Sequence, residues 1–351
     1  MLTTSSPARL SAPLERTAAQ VESVAVSTLP QLEQLAPEWE RLWSAARASP
    51  FQSPHWLLPW WKNIGEGSLA SVAFRSTEDH QLVGFAPLYI YIDPDRHQRH
   101  LFPLGIATTD RLDIVALAGW REPVAQALVG HLANHRDAWD VFEAPQLADG
   151  AALLTLRWPR SWRCEIADAE VNPVLPLPAA IPRSMAQSLA YCRRRAAREA
   201  GVAYEQADAH SLPAWLDTLD RLHAQRWALR DLPGVLRAGG VLDWHREAAP
   251  KLLAAGLLRA LSLRIAGRLV AVLYVLADAQ AVPRRRWFYY LGGFDPAAAA
   301  LSPGTLLVGH AIEQAQAEGA AAFDFLRGNE PYKQRWGAGN QPMTTLRIRQ
   351  D

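Results

Sequence analysis

Leu32, Leu35, Trp39, Leu42 and Trp43 recur three and four residues apart, which predicts an amphipathic helix over 31–47 that stops before Pro50. The apolar runs 69–74 and 82–92 flank the polar stretch RSTEDHQ and predict a hairpin, with Pro87 marking an edge or a bulge. Residues 100–118 read as a second extended region broken at TTD, 122–136 as a helix and 139–143 as a short strand. The first half is therefore expected to run helix, hairpin, strand, helix, strand.

The second half is expected to repeat that order. A helix over 184–200 would start at a Ser184 cap and end at Gly201. The clearest helix is 212–227, where Leu212, Trp215, Leu216, Leu219, Leu222, His223 and Arg226 share one face. A helix over 243–255 closed by Gly256 follows, then a hairpin of 258–265 and 269–277 across AGR. Strand 287–292, helix 302–318, strand 322–326 and a last strand over 345–349 complete the chain. Two short echoes agree with a repeat: QLVGFAPLYI (81–90) with RLVAVLYVLA (268–277), and DAWDVFEA (137–144) with AAFDFLRG (321–328). Residues 1–27, rich in Ser, Thr, Ala and Pro without period, are expected to be a disordered leader. Residues 157–183 carry Pro159, Pro173, Pro176, Pro178 and Pro182 and are expected to cross between a half at 28–156 and a half at 184–351. The fold class is α/β (α+β), each half a mixed, mostly antiparallel sheet flanked by helices.

Composition narrows the partners. The 351 residues balance 36 Lys and Arg against 35 Asp and Glu, so no global field draws nucleic acid or an anionic membrane. DNA is not an expected partner, and Arg193, Arg194, Arg195 and Arg198, or Arg284 to Arg286, make basic surfaces that are local at most. Two cysteines without a C-x-x-C, no signal-peptide pattern and no apolar run long enough for a bilayer point to a cytoplasmic protein. No His/Cys metal spacing, G-x-S-x-G elbow or Walker A loop is present, so no metal is expected. The 14 tryptophans are expected mostly as core filler.

The chemistry concentrates in WFYYLGGFDPAAAALSPGTLLVGHAIEQAQAEGAAAFDFLRGNEPYKQRWG (287–337). A strand ending at Gly292-Gly293 leads to a helix opening with Ser302-Pro303-Gly304-Thr305. Ser302 suits the cap and Pro303 the first helical position, and the free first-turn amides make an anion site able to hold a pyrophosphate. A well-capped strand–helix–strand unit without a ligand has the same pattern.

The ordered set SPG…L…HAIE.A…G…FDFLRG.E.YK.RWG resembles the C-terminal half of GNAT-superfamily acyltransferases of the CelD-like type, the cellulose-biosynthesis acetyltransferases. It is also similar to the Fem-type aminoacyltransferases. FQSPHWLLPWW (51–61), LVGFAPLY (82–89), LGIATTDRLDI (104–114) and LHAQRW (222–227) extend the likeness over 31–349. The resemblance implies tandem GNAT-like halves, with an acyl-CoA, acetyl-CoA being one, between two splayed parallel strands at 287–292 and 322–326. Gly292, Ser302, Gly304 and Thr305 would hold it, and the acceptor would be a sugar, an amino-sugar or an envelope or exopolysaccharide precursor. The commoner Q/R-x-x-G-x-G/A loop is absent, and a Fem-type donor, aminoacyl-tRNA, or a non-catalytic scaffold are the alternatives.

Acyl transfer needs a base, a polarised carbonyl and an acid for the leaving thiolate. Asp324, in an apolar strand, is a candidate base or acceptor-orienting group, or else it pairs with Arg327 or Lys333 or caps a backbone group; Glu330 is a second base. Lys333 falls on the aromatic-Lys pair that lines the substrate channel of Fem-type relatives and is a candidate to hold an anionic group or stabilise the oxyanion, or else a solvated surface lysine; Tyr332 is a candidate acid or a packing residue. His223, Arg226, Trp227 and Arg327 are candidates for the acceptor, with His223 equally readable as a core histidine. Asp110 and Asp113 lie in a loop that would face the cleft or only shape a turn, and Asp113 is counted with the acceptor residues.

Overall fold

The computed structural model describes residues 20–199, 201–228 and 231–350. Strand β1 (Val21–Val26) leads to α1 (Leu29–Ala46) and α2 (Pro54–Asn63). Then come β2 (Ser68–Leu69), β3 (Ser71–Ser76), β4 (Leu82–Ala86), β5 (Leu88–Ile92), β6 (Arg99–Pro103), β7 (Val115–Ala116), α3 (Arg121–Asn134) and β8 (Val141–Ala148). The Pro-rich segment holds β9 (Trp162–Asp168) and β10 (Asn172–Pro176). The second half runs α4 (Arg183–Ala196), β11 (Val202–Gln206), α5 (Leu212–Ala228), α6 (Val241–Ala254), β12 (Leu258–Ile265), β13 (Arg268–Ala277) and β14 (Arg286–Phe294). It ends with α7 (Pro303–Ala317), β15 (Ala322–Asp324), α8 (Pro331–Gln334), β16 (Gly339–Gln341) and β17 (Met343–Gln350).

Local chemistry accounts for the strongest elements. The α1 helix opens on a capping box, with Thr28 Oγ1 accepting from Gln31 N and Gln31 Oε1 from Thr28 N, and buries Leu32, Leu35, Trp39, Leu42 and Trp43. On α5 the predicted stripe is buried from Leu212 through Trp215, Leu216, Leu219 and Leu222 to His223, while its last member, Arg226, is only half-buried. Pro87, without an amide proton, splits one long strand in two: β4 stays in a four-stranded sheet, β1-β3-β4-β7, while β5 joins a six-stranded one, β2-β5-β6-β8-β17-β9. The second half builds a seven-stranded sheet, β11-β12-β13-β14-β15-β10-β16.

Four expectations change. Residues 21–26, assigned to the leader, pair antiparallel with β3 from Val21↔Ser76 to Val26↔Ser71, because the β-branched Val21, Val24 and Val26 suit an edge strand; residues 1–19 lie outside the described residues. The Pro-rich segment is more than a crossing, since β10 enters the second half's sheet between β15 and β16, while β9 joins the first half's. Conversely β17, expected in the second half, pairs with β8 and β9. The first half thus takes a strand from the second, and the second takes one from the segment between them. The predicted Ser184 cap is absent: α4 starts at Arg183 after Pro182, with no side-chain cap; Ala200 lies outside the described residues.

One apolar core spans both halves. Trp56 of α2 meets Trp244 of α6 with ring centroids 4.5 Å apart, and the Trp244 indole donates to the Trp56 carbonyl at 3.1 Å. Trp39, Trp56, Trp139, Trp244 and Trp287 are among the largest fully buried side chains, which agrees with tryptophan as filler. Among the described residues no helix is long and apolar enough to cross a membrane.

Candidate active site

Strands β14 and β15 run parallel but pair over only three positions, Arg286↔Ala322, Trp287↔Phe323 and Phe288↔Asp324. Past Asp324 the chain turns away, with Leu326 at φ 56°, while β14 continues to Phe294, so a V-shaped gap opens. The register with β13 slips inside this gap: Tyr274 faces Leu291 and Val275 faces Tyr289, leaving Tyr290 as the extra residue of a bulge. Gly293 lets α5 lie on the strand, because a Cβ there would be 2.7 Å from the His223 amide nitrogen.

Two cavities meet at the gap and share Arg226, Tyr289 and Tyr332 as walls. The larger, about 320 Å³, is reached by residues of both halves. The loop after β6 brings Ala107, Thr108 and Asp110 into it, held by Trp56 Nε1 donating to Thr109 Oγ1 at 2.9 Å and Trp60 Nε1 to Thr108 Oγ1 at 2.7 Å. From the other side Tyr290 donates to the Thr108 carbonyl at 2.8 Å, and Arg327 to those of Ala107 and Thr109. Arg327 Nε lies 3.0 Å from Asp110 Oδ1. Asp110 is buried, and burial, opposed by Arg327, pushes its carboxyl up to about 6.

The smaller cavity, about 170 Å³, lies against the start of α7 and is lined by Gly304, Thr305, Val308, Phe294, Arg226 and Arg335 among others. No side chain caps this helix. Ser302 sits in the left-handed conformation, and a Cβ on Gly304 would meet nothing closer than Phe294 at 3.8 Å, so the first-turn amides open onto free space. Arg226 lies over the Phe294 ring, 5.6 Å from its centroid, with one long contact of 3.4 Å to the Gly292 carbonyl.

The expected residues sort by place. Gly292, His223, Arg226, Trp227, Arg327, Glu330, Tyr332 and Lys333 line the larger cavity, and Gly304 and Thr305 the smaller. Lys333 is buried, and its ammonium donates to the carbonyls of Leu326, Arg327 and Gly328, at 2.6 Å for Arg327, besides pairing with Glu330 at 2.8 Å. It staples the loop after β15, in which Gly328 takes φ 103°. Burial raises the Glu330 carboxyl, but the Lys333 bond and charge outweigh it and leave the group below its ordinary value. His223 is buried; Nε2 accepts from the Trp227 indole at 2.9 Å, and burial with Arg226 nearby holds the ring down at about 4, hence neutral. Burial raises the Tyr332 phenol well above its usual range.

Asp324, Asp113 and Ser302 need correction. Asp324 is fully buried behind the cavity, where Arg111 donates to one carboxylate oxygen at 2.5 and 3.0 Å and the Leu326 amide to the other at 2.8 Å, so as a free base it has no access. Its partner is Arg111 from the first half, neither Arg327 nor Lys333. Asp113 caps the turn at 152–153 by accepting from both amides, at 2.8 and 3.1 Å, in the first half's own core. Ser302 contributes only backbone. Arg111, Tyr289, Tyr290 and Arg335 were missed; the YY of the strand and the Arg of the RWG run were the only signals.

A family model described as Acetyltransferase (GNAT) domain matches residues 183–334. Over that stretch the second half is similar to a GNAT-type acetyltransferase domain. Against solved structures the chain is similar to FemX, with a TM-score of 0.63 at 10% identity, covering 93% of this chain and 96% of that one. It is also similar to L-PGS from Bacillus licheniformis, with a TM-score of 0.57 at 11% identity, covering 90% of each chain. A third likeness is a conserved protein of unknown function from Bacteroides thetaiotaomicron, with a TM-score of 0.55 at 11% identity, covering 93% of this chain and 100% of that one. At such identities these likenesses show the fold, and they take in both halves around the GNAT domain. A search of curated proteins by sequence finds no match.

Proposed function

We propose that the chain transfers an acyl group from an acyl-CoA, acetyl-CoA being the simplest, to an amine or hydroxyl of a sugar, an amino-sugar or an envelope polysaccharide precursor in the cytoplasm. The observation that carries this reading is the uncapped start of α7 facing a cavity between Arg226 and Arg335, continuous through shared walls with a second cavity that holds Asp110. Free amides, a positive helix end and two guanidinium groups suit a diphosphate, and the apolar walls between them suit its uncharged arm.

The roles follow from position. Asp110 takes the proton from the acceptor's nucleophile as it attacks the thioester carbonyl carbon; a carboxyl near 6 is ionised at neutral pH and still basic enough to do so. The carbon–sulfur bond breaks. Lys333 holds the loop that carries Arg327 and Glu330. Trp227, braced by His223, and Tyr290 offer aromatic walls of the kind that flank saccharide rings.

Titration calorimetry with acetyl-CoA, longer acyl-CoAs and charged tRNA tests the donor. Micromolar acyl-CoA binding that weakens in Gly304→Leu is expected. Binding of charged tRNA in place of acyl-CoA would shift the reading to aminoacyl transfer, and unchanged affinity in Gly304→Leu would refute the assignment of the diphosphate to α7.

A further inference from the structure

The outer edge of β9 is an open end of the six-stranded sheet. Over seven residues it pairs with β17 without a register shift or bulge, it contains no Pro, and its central charges, Arg163 and Glu165, are of opposite sign. Its side chains alternate. Trp162, Cys164 and Ile166 stand on the face where the adjacent β17 buries Leu346 and Ile348. Trp162 is covered there by Trp139 and Trp158, with centroids 5.2 and 6.0 Å away, but Cys164 is exposed and Ile166 is 63% exposed. The core-facing side of the sheet thus runs on past the end of its core.

From this we infer that β9 pairs antiparallel with β9 of a second copy of this chain about a two-fold axis, joining two six-stranded sheets into one. Residues opposite each other in an antiparallel pair share a face, so the axis must pass through a residue. Centred on Arg163 or Glu165, it sets like charges against each other. Centred on Cys164, it sets Arg163 against Glu165 of the second copy on one face. On the other it sets Trp162 against Ile166 of the second copy and Cys164 against its own counterpart. That register covers Ile166 and keeps opposite charges together, and within one strand Arg163 and Glu165 already lie 2.8 Å apart, with charges ready to be shared.

Sedimentation velocity up to about 100 µM tests the pairing, because a single strand edge is smaller than a standard interface and implies a dissociation constant on the order of micromolar. A concentration-dependent dimer is expected, weakened at least about tenfold by Ile166→Asp, which places a charge where the apolar pair forms. Treatment with copper phenanthroline and oxygen, which takes two electrons and two thiol protons, should couple Cys164 to its counterpart. The product is a dimer on non-reducing gels that Cys164→Ser abolishes and Cys192→Ser does not. A monomer throughout the concentration range overturns the inference, as does a dimer indifferent to Ile166→Asp and not cross-linked through Cys164.

Discussion

Each half contains one parallel strand pair that begins zipped and then parts, β6 with β8 and β14 with β15, yet only one of the two gaps is open. In the first half pairing stops after Leu101↔Phe142, and Leu101, Phe142, Ala144 and Ile114 pack with α3 into a single apolar core. In the second half pairing stops after Phe288↔Asp324, and the walls beyond are Tyr289, Tyr290, Phe325 and Arg226 around a cavity. The same element order therefore yields a sealed unit or a binding cleft according to what side chains stand past the split. The sealed half still takes part in the site: the loop leaving its parted strand carries Asp110 into the neighbour's cavity and Arg111 to Asp324.

Two carboxylates of that one loop sharpen the comparison most. Burial raises both Asp110 and Asp113 to about 6, but only Asp110 faces the cavity. Asp110→Asn is expected to lower kcat/KM by roughly 10²–10⁴-fold with acyl-CoA affinity retained, while Asp113→Asn leaves turnover per folded molecule unchanged. In the wild type kcat/KM should rise with pH through about 6 as Asp110 ionises, and that step should vanish in Asp110→Asn but survive in Asp113→Asn. The sign for stability is opposite. With folded-state values above the ordinary 3.8, these carboxyls bind protons more tightly in the folded chain, so their contribution declines as pH rises from about 4 to 6. Denaturation at both ends of that window checks it, since Asp113→Asn should shrink the decline.

The next largest effect concerns the joint between the halves. Arg111→Ala leaves the Asp324 carboxylate buried and uncompensated, at a cost of about 3–5 kcal/mol in denaturant unfolding, whereas Arg111→Ala combined with Asp324→Asn should regain much of it. Phe142→Ala, inside the sealed gap, should cost a comparable ~3–4 kcal/mol without altering acyl-CoA affinity, which would break the comparison if affinity fell too. Arg226→Ala removes a guanidinium that faces both cavities and should weaken acyl-CoA binding by roughly 10–100-fold in calorimetry, with unfolding unchanged. The smallest effect belongs to Thr28→Ala, about 1 kcal/mol from the lost cap of α1, read in unfolding alone.

Much was legible in the chain itself. Periodicity located α1, α5, the hairpin of β12 and β13 and the helix α7, because each buries a face whose spacing shows in the residue order. The order of elements disclosed the repeat, and Ser302-Pro303-Gly304-Thr305 marked a helix start, though not that Ser302 leaves it uncapped. The α2 helix was missed because Pro54 and Pro59 obscure its period, and Asp324 looked catalytic because an acid in an apolar strand has the same spelling whether it is a free base or half of an ion pair.

Residue order thus determined the elements, the two-fold repetition and the types of side chain available for acyl transfer, since these depend on neighbours a few positions away. Tertiary structure alone decided which gap stays open, which strands cross the boundary and which carboxylate faces the cavity. Those outcomes rest on contacts between residues far apart in the chain, such as Arg111 with Asp324 and Asp110 with Arg327, whose burial and ion pairing exist only once both halves have closed on each other.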